Sequence, residues 1–264
     1  MDQLLLNKKK IIELLKAKAI DLEIFDSVTS TNDCLKNSKS DNKIKACLAE
    51  QQTQGRGRFN RSWHSPFGQN IYLSLAYPFA KTLSELAGLS IVVALSICKS
   101  IDEIYHLPNP VLIKWPNDII YDVKKLAGNL IEIQTVSNNY CLAIIGIGIN
   151  VNMLPDNNHA ITQPWISIKE INKSCNDRNI LCAQLLDNLL DYLDKFSRNG
   201  LPVFLQEWQN RDYLYNKTIA LQSGNHQYKG EVAGINAQGH LLLDTEAEGM
   251  LQFSAGDTSI IKGN

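Results

Sequence analysis

From Val111 to Asn150 the chain consists of four apolar runs broken by polar turns, and this pattern restricts the folds open to it. VLIKW (111–115), IIY (119–121), KLAGNLIEI (125–133) and YCLAIIGIGIN (140–150) each have strand length. The turns Pro116–Asp118 and Asp122–Lys124 are short, so the strands they join become antiparallel neighbours. A sheet ladder therefore lies in the middle of the chain. Its last strand ends in Gly146, Gly148 and Asn150, glycines that fit a bulge or close backbone packing.

The flanking segments supply further strands and the helices that cover them. Residues 3–18 carry apolar side chains at helical spacing and predict an amphipathic helix. Asp21–Val28 alternates like a strand, and Ser30 or Thr31 followed by Asp33 has the form of a helix N-cap. Lys45–Gln52 and Asn70–Ala76 read as strands, and 81–105 as a long central helix stopped by Pro108–Pro110. Residues 156–164 form a polar loop and 167–173 a short element. Helices follow over 179–196 and 201–211, the second opening at Pro202, which suits a first helical turn. Beyond Asn216 the pattern changes to four short strands (217–222, 228–236, 240–244 and 250–253) with Gly-containing turns, the signature of a small all-β barrel. The expectation is an α+β protein with a mixed or antiparallel sheet and flanking helices. It divides into a main domain, 1–213, and a small C-terminal β-barrel, 214–264.

Composition excludes several classes. The net charge is −1, so no global basic field draws the chain to nucleic acid or an anionic membrane. Hydrophobic residues make up 44% and charged residues 20%, as in ordinary globular proteins. The six cysteines (Cys34, Cys47, Cys98, Cys141, Cys175 and Cys182) form no C-x-x-C pair and no zinc spacing, and fit reduced thiols in a cytoplasmic protein. The N-terminus lacks the features of a signal peptide, and no apolar stretch is expected to cross a bilayer. About two dozen residues precede the first strand, too few for a winged-helix DNA-binding module.

Between the strands ending at Gln52 and starting at Asn70 lies QTQGRGRFNRSWHSPFGQ. Its Gly55, Gly57 and Gly68 permit unusual backbone paths, Arg56, Arg58 and Arg61 offer planar donor forks for carboxylate or phosphate, and Trp63 offers a flat face. This is either a cover for an anionic ligand or a solvated loop whose arginines pair with nearby acids. A long connection inside a compact domain favours the functional reading.

Taken together, GRGRFNRSWHSPFGQNIYLSL (55–75), KWPNDIIYDVKKLAGNLIEI (114–133) and GIGINVN (146–152) resemble the three signature blocks of biotin protein ligases, and STN at 30–32 falls in the matching order. The resemblance runs from about residue 22 to the end, and the three blocks in order are specific where one alone is weak. It implies a class II synthetase-like catalytic domain with an SH3-like C-terminal barrel, and the monofunctional class without a DNA-binding domain. It implies two steps using biotin, ATP and Mg2+. Biotin's carboxylate attacks the α-phosphate to give biotinyl-5′-AMP and pyrophosphate, and a lysine of a biotin carrier domain, such as that of acetyl-CoA carboxylase, then takes the biotinyl group. Monomer and homodimer both remain open.

By the same resemblance Ser30, Thr31, Asn32, Gln52, Gly55, Arg56, Gly57, Arg58, Lys125 and Gly128 contact biotin. Arg58, Arg61, Trp63, Asn117, Lys125 and Asn150 contact the adenylate. Joining two anions requires cations at the reacting centre, a role for Arg56, Arg58 and Lys125, with Lys114 as a further candidate. The second step needs a neutral amine, and with a lysine pKa of about 10.4 only on the order of 1 in 10³ is neutral at pH 7. Asp118 is the candidate base or orienter of that amine, its alternative role being magnesium binding or turn stabilisation. Trp115 reads as core packing, with contact to the ligand as the alternative. A lipoate or octanoate ligase or transferase of the same fold is the nearest alternative. A non-catalytic biotin sensor is disfavoured by the presence of Lys125 and both loop arginines. The resemblance also implies a basic residue just past the last strand, near the ATP phosphates; in AGDTSIIKGN Ile261 stands at about that place with Lys262 beside it, so no site residue is assigned there.

Overall fold

The computed structural model describes residues 5–16, 20–36, 43–155 and 161–261. The alternating runs form a seven-stranded mixed sheet. Its strands are β1 (Asp21–Val28), β2 (Lys45–Gln52), β3 (Ile71–Phe79), β4 (Leu112–Lys114), β5 (Asp118–Tyr121), β6 (Lys124–Ser137) and β7 (Tyr140–Ile149), in the order β1-β2-β3-β7-β6-β5-β4. Only β1 and β2 are parallel; the other neighbours run antiparallel, as the short turns require.

One face of this sheet is apolar and packs on helices. Ile71, Leu73 and Leu75 of β3 and Ile145, Ile147 and Ile149 of β7 are buried in one core with helices α3 (Leu89–Ile104) and α5 (Arg178–Asn199). Each such side chain contributes about 1.5–3 kcal/mol by leaving water. The opposite face is left for the site. It is bordered by α2 (Thr31–Lys36) and by the segment leading to α4 (Ile168–Asn172).

Several elements are shorter than the periodicity predicts. The N-terminal helix 3–18 reduces to α1, Lys8–Leu14: Asn7 Oδ1 accepts from Lys10 N at 3.0 Å, and Leu15 is extended. Residues 1–4 and 17–19 lie outside the described residues, as do 156–160 of the polar loop. The helix expected over 81–105 begins only at Leu89, after a single 3-10 turn at Ser84–Leu86. The break is Gly88, whose φ of +81° favours glycine and whose missing Cβ would meet Leu201 at 2.6 Å. Contrary to the expectation that no apolar stretch reaches spanning length, Ser84–Ile104 does so by length and composition, but 67% of that window is buried inside the fold. The helix expected over 201–211 splits into a 3-10 turn holding Pro202, Leu201–Phe204, and α6, Leu205–Gln209.

The C-terminal strands form a separate antiparallel sheet, β11-β10-β9-β8-β12. Its strands are β8 (Thr218–Ser223), β9 (His226–Ile235), β10 (Leu241–Thr245), β11 (Gly249–Phe253) and β12 (Asp257–Ile260). The fifth strand, β12, has no counterpart among the four expected. Of its four residues only Thr258 is buried, so there is no alternation to read. Trp115 packs in the core, also borders the cavity, and joins the two sheets: its indole N–H donates to the Gly239 carbonyl at 2.9 Å.

The β5–β6 turn carries a local conflict. Asp122 and Val123 both have positive φ, +43° and +62°, as a type I′ hairpin turn demands, and such turns favour Asn-Gly. A β-branched residue there is a conformational outlier, and Val123 is 70% exposed, with little packing in return. Val123→Gly should raise the unfolding free energy by about 1 kcal/mol. Chemical denaturation of the two proteins checks this, and an unchanged or lower value would contradict it.

Candidate active site

The site is built on bare backbone. In the ladder Gly128 of β6 faces Gly148 of β7, and Leu130 faces Gly146, so three nearby positions on the free face have no side chain. Each is covered by a polar or aromatic group. A Cβ at Gly148 would come within 2.6 Å of the Trp63 ring, and one at Gly128 within 3.2–3.3 Å of Lys125 Cε and Asp118 Oδ1. A Cβ at Gly146 would overlap the Asn32 amide.

Lys125 reaches this face because the strand is bulged. Lys125 and Gly128 are an odd number of residues apart and would point to opposite faces of a regular strand. Register shifts between Ile119↔Ala127 and Ile120↔Lys125, leaving Leu126 as the extra residue. The bulge brings Lys125 over Gly128, where its ammonium lies 2.7 Å from Asp118 Oδ1 and 5.3 Å from the Trp63 ring centre. The backbone of Lys125 is held from the far side: its N–H donates to the Pro164 carbonyl and its carbonyl accepts from Ile166 N, both at 3.0 Å.

The connection 51–70 is a small hairpin folded over these groups. Gly57 N donates to Arg61 O at 2.7 Å and Trp63 N to Gly55 O at 2.8 Å, and Arg58–Asn60 form a 3-10 turn at the tip. Its three arginines go three ways. Arg56 donates to Asp33 Oδ1 at 2.6 Å and lies 3.6 Å from Glu132, so its charge is taken up by acids of α2 and β6. Arg61 pairs with Asp257 of β12. Arg58 enters the cavity, donating to Asn117 Oδ1 at 3.2 Å and to the Gly256 carbonyl at 3.3 Å. Burial lowers the Arg58 pKa, against the opposing pull of Asp118 and Asp257. Burial likewise lowers that of Lys114.

At the other end the groups are neutral. Thr31 N and Oγ1 both donate to Gln52 Oε1, at 2.9 and 3.1 Å, and Ser74 Oγ lies 2.7 Å from Thr31 Oγ1 and 2.6 Å from Asn32 Oδ1. Ser30, Thr31 and Asn32 are buried. The groups enclose a cavity of about 540 Å3. It is a mostly preformed cleft with a cationic end and a neutral, hydrogen-bonding end, suited to one extended ligand.

Of the residues singled out in the sequence, Ser30, Thr31, Asn32, Gln52, Arg56, Gly57, Arg58, Arg61, Trp63, Asn117, Asp118, Lys125, Gly128 and Asn150 all line this cavity. Gly55 does not; a Cβ there would meet the Trp63 carbonyl and Ser65 Oγ, so its bareness serves the hairpin. The Asn150 amide nitrogen is engaged by the framework, donating to the carbonyls of Ile166 (3.2 Å) and Lys125 (3.4 Å). Lys114, raised as a further cation, is also in the wall.

Residues 24–150 match the biotin/lipoate A/B protein ligase family. The bifunctional ligase/repressor BirA of Escherichia coli is 33% identical over 258 residues, which cover 97% of this chain and 78% of that protein. The chain belongs to this ligase family. A biotin–[acetyl-CoA-carboxylase] ligase of Mycobacterium tuberculosis is 27% identical over 89% of this chain and 87% of its own length. Among solved structures, the biotin protein ligase of Aquifex aeolicus in complex with biotin and ATP superposes with a TM-score of 0.76, at 28% identity, covering 92% of this chain and 99% of that one.

Several lining residues were not singled out in the sequence: Phe59, Ser62, His64, Asn129, Leu130 and Ile147 inside the quoted blocks, and outside them first the segment Ile161–Gln163 with Trp165, second Gly256–Thr258 at the C-terminal sheet. A lone tryptophan in an otherwise polar loop was the available signal for the first segment. Nothing local marks the second, which joins the site only through tertiary packing. Gly148 has no positive φ, so Gly148→Ala should preserve the strand and displace Trp63. Hydrogen exchange at the Gly57 and Trp63 amides, which close the hairpin, should then accelerate about tenfold. Unchanged protection would show that the ring does not need the bare backbone.

Proposed function

We propose that this chain activates biotin with Mg-ATP and transfers it to a lysine of a biotin carrier domain, such as that of acetyl-CoA carboxylase. The observation that carries the reading is the division of the cavity. Lys125 and Arg58 lie at one end, both under the influence of Asp118, and the neutral group Ser30, Thr31, Asn32 and Gln52 lies at the other. A ureido ring is polar and uncharged and suits the neutral end. A carboxylate and a triphosphate suit the cationic one.

In the first step a carboxylate oxygen of biotin forms a bond to the α-phosphorus and the bond to the bridging oxygen breaks, releasing pyrophosphate. Lys125 and Arg58 offset charge at that centre, and Arg58, already stripped of much water, interacts more strongly with an incoming anion than a solvated arginine does. Lys114 adds a third cation. Arg56 is best read as an anchor, because Asp33 and Glu132 already engage it. Magnesium arrives with ATP; among the described residues no three His, Cys, Asp or Glu side chains gather into a resident metal site. Trp63, whose indole N–H is buried without an acceptor among the described residues, supplies a wall and a spare donor for the adenylate.

In the second step the carrier amine attacks the acyl carbon, AMP leaves, and the amine's proton must be removed. Asp118, 24% exposed at its side chain and bound to Lys125, is placed to orient the ammonium or accept that proton. The C-terminal unit, residues 214–264, closes the cavity through Gly256–Thr258. The hairpin then keeps water from the anhydride.

The primary test is incubation with biotin, Mg-ATP and a carrier domain, with lipoate as the competing acid and mass measurement as the readout. One added biotinyl group is expected; lipoylation alone, or no addition, would overturn the reading. Asp118→Asn should slow transfer more than adenylate formation, and equal losses in the two half-reactions would remove Asp118 from the second step. Arg58→Ala should speed the release or hydrolysis of biotinyl-AMP by about tenfold or more, measured by filter retention; retention equal to wild type would limit the loop to positioning.

A further inference from the structure

Glu132 lies on the cavity face of β6, opposite Ile144 and one row beyond the Leu130↔Gly146 pair. Its carboxylate receives groups from two separate elements. Oε2 accepts from Asn32 Nδ2 at 2.7 Å and Oε1 from Lys36 Nζ at 2.5 Å, both on α2. Arg56, in the outer part of the hairpin, lies 3.6 Å from Oε2 while donating to Asp33 at 2.6 Å. Two acids and two bases thus form a neutral, partly buried cluster. The far end of the Asn32 amide accepts from Ser74 Oγ at 2.6 Å, so Glu132 and Ser74 together fix its orientation.

We infer that Glu132 is a positioning residue: one carboxylate sets the Asn32 amide at the neutral end of the cavity and holds Arg56 of the covering hairpin. The two tasks need different chemistry. Orienting Asn32 needs an acceptor, which a glutamine still provides. Holding Arg56 beside Lys36 needs a negative charge, because without it two cations share Asp33 alone. Substitution at one position therefore separates them.

The ligand half of this inference rests on the ligase reading; the hairpin half does not. Glu132→Gln and Glu132→Ala are compared with wild type by biotin titration calorimetry and by limited trypsin cleavage after Arg56, Arg58 and Arg61, with cleavage after the exposed Arg198 as the control for general unfolding. Glu132→Gln should bind biotin within about threefold of wild type while its hairpin is cut about tenfold faster. Glu132→Ala should show the faster cutting and about tenfold weaker biotin binding as well. Cleavage after Arg198 should not change in either. Wild-type cutting rates in both variants, or wild-type biotin affinity in Glu132→Ala, would overturn the inference. A general structural role would instead raise cleavage at Arg198 in parallel with the hairpin, which also overturns it. If wild type itself binds no biotin, the ligase reading fails, and the cleavage rates still decide whether Glu132 holds the hairpin.

Discussion

Close packing leaves no room for a Cβ at Gly146 or Gly148 and little at Gly128, and the site depends on those positions staying bare. The groups that settle there are Asn32, Trp63, and the Lys125–Asp118 pair, which come from α2, the hairpin and the β5–β6 ladder. They share one small area only because β6 and β7 present backbone where a sheet normally presents side chains. The bulge at Leu126 completes the arrangement by turning Lys125 onto the same face. A regular strand of the same composition would send that ammonium into the helical layer.

The covering hairpin is held in two different ways. Its base is rigid. Arg178 and Glu50 form a fully buried ion pair at 2.6 Å, Arg178 also donates to the Asn70 carbonyl, and Gly68 N donates to the Glu50 carbonyl. Breaking such a pair by removing one partner costs about 3–5 kcal/mol. Its tip is held by half-exposed pairs, Arg56 with Asp33 and Arg61 with Asp257, each worth about 0–1 kcal/mol. With a firm base and weak outer contacts, separating the outer part of the hairpin costs less than disturbing its base. Arg58, between the two outer pairs, reaches into the cavity.

Much of this was legible in the residues. Alternation placed β1, and continuous apolar runs placed β2 and β7, whose side chains are mostly buried and write that burial into the sequence. Helix ends were less readable: α3 starts late because Gly88 is packed on Leu201, a contact between residues far apart in the chain. Within the site, the three sequence blocks contained about two thirds of the cavity residues, but not their division of labour. Arg56 and Arg58 look alike in GRGR, yet one meets two acids and the other meets the cavity. β12 and the Ile161–Trp165 segment were not legible as parts of the site, since each joins it through tertiary placement alone. Glu132 was not singled out in the sequence.

The central claim is that a closed, glycine-floored cavity forms biotinyl-AMP and retains it until an amine arrives. The most direct measurement is pyrophosphate release from labelled ATP by enzyme mixed with biotin and magnesium in the absence of a carrier domain. A biotin-dependent burst, equal to the enzyme present and followed by near-arrest, is the predicted result. Release without biotin, or steady turnover after the burst, would contradict it: the first would mean that the cavity does not activate biotin, the second that the cover does not protect what it makes.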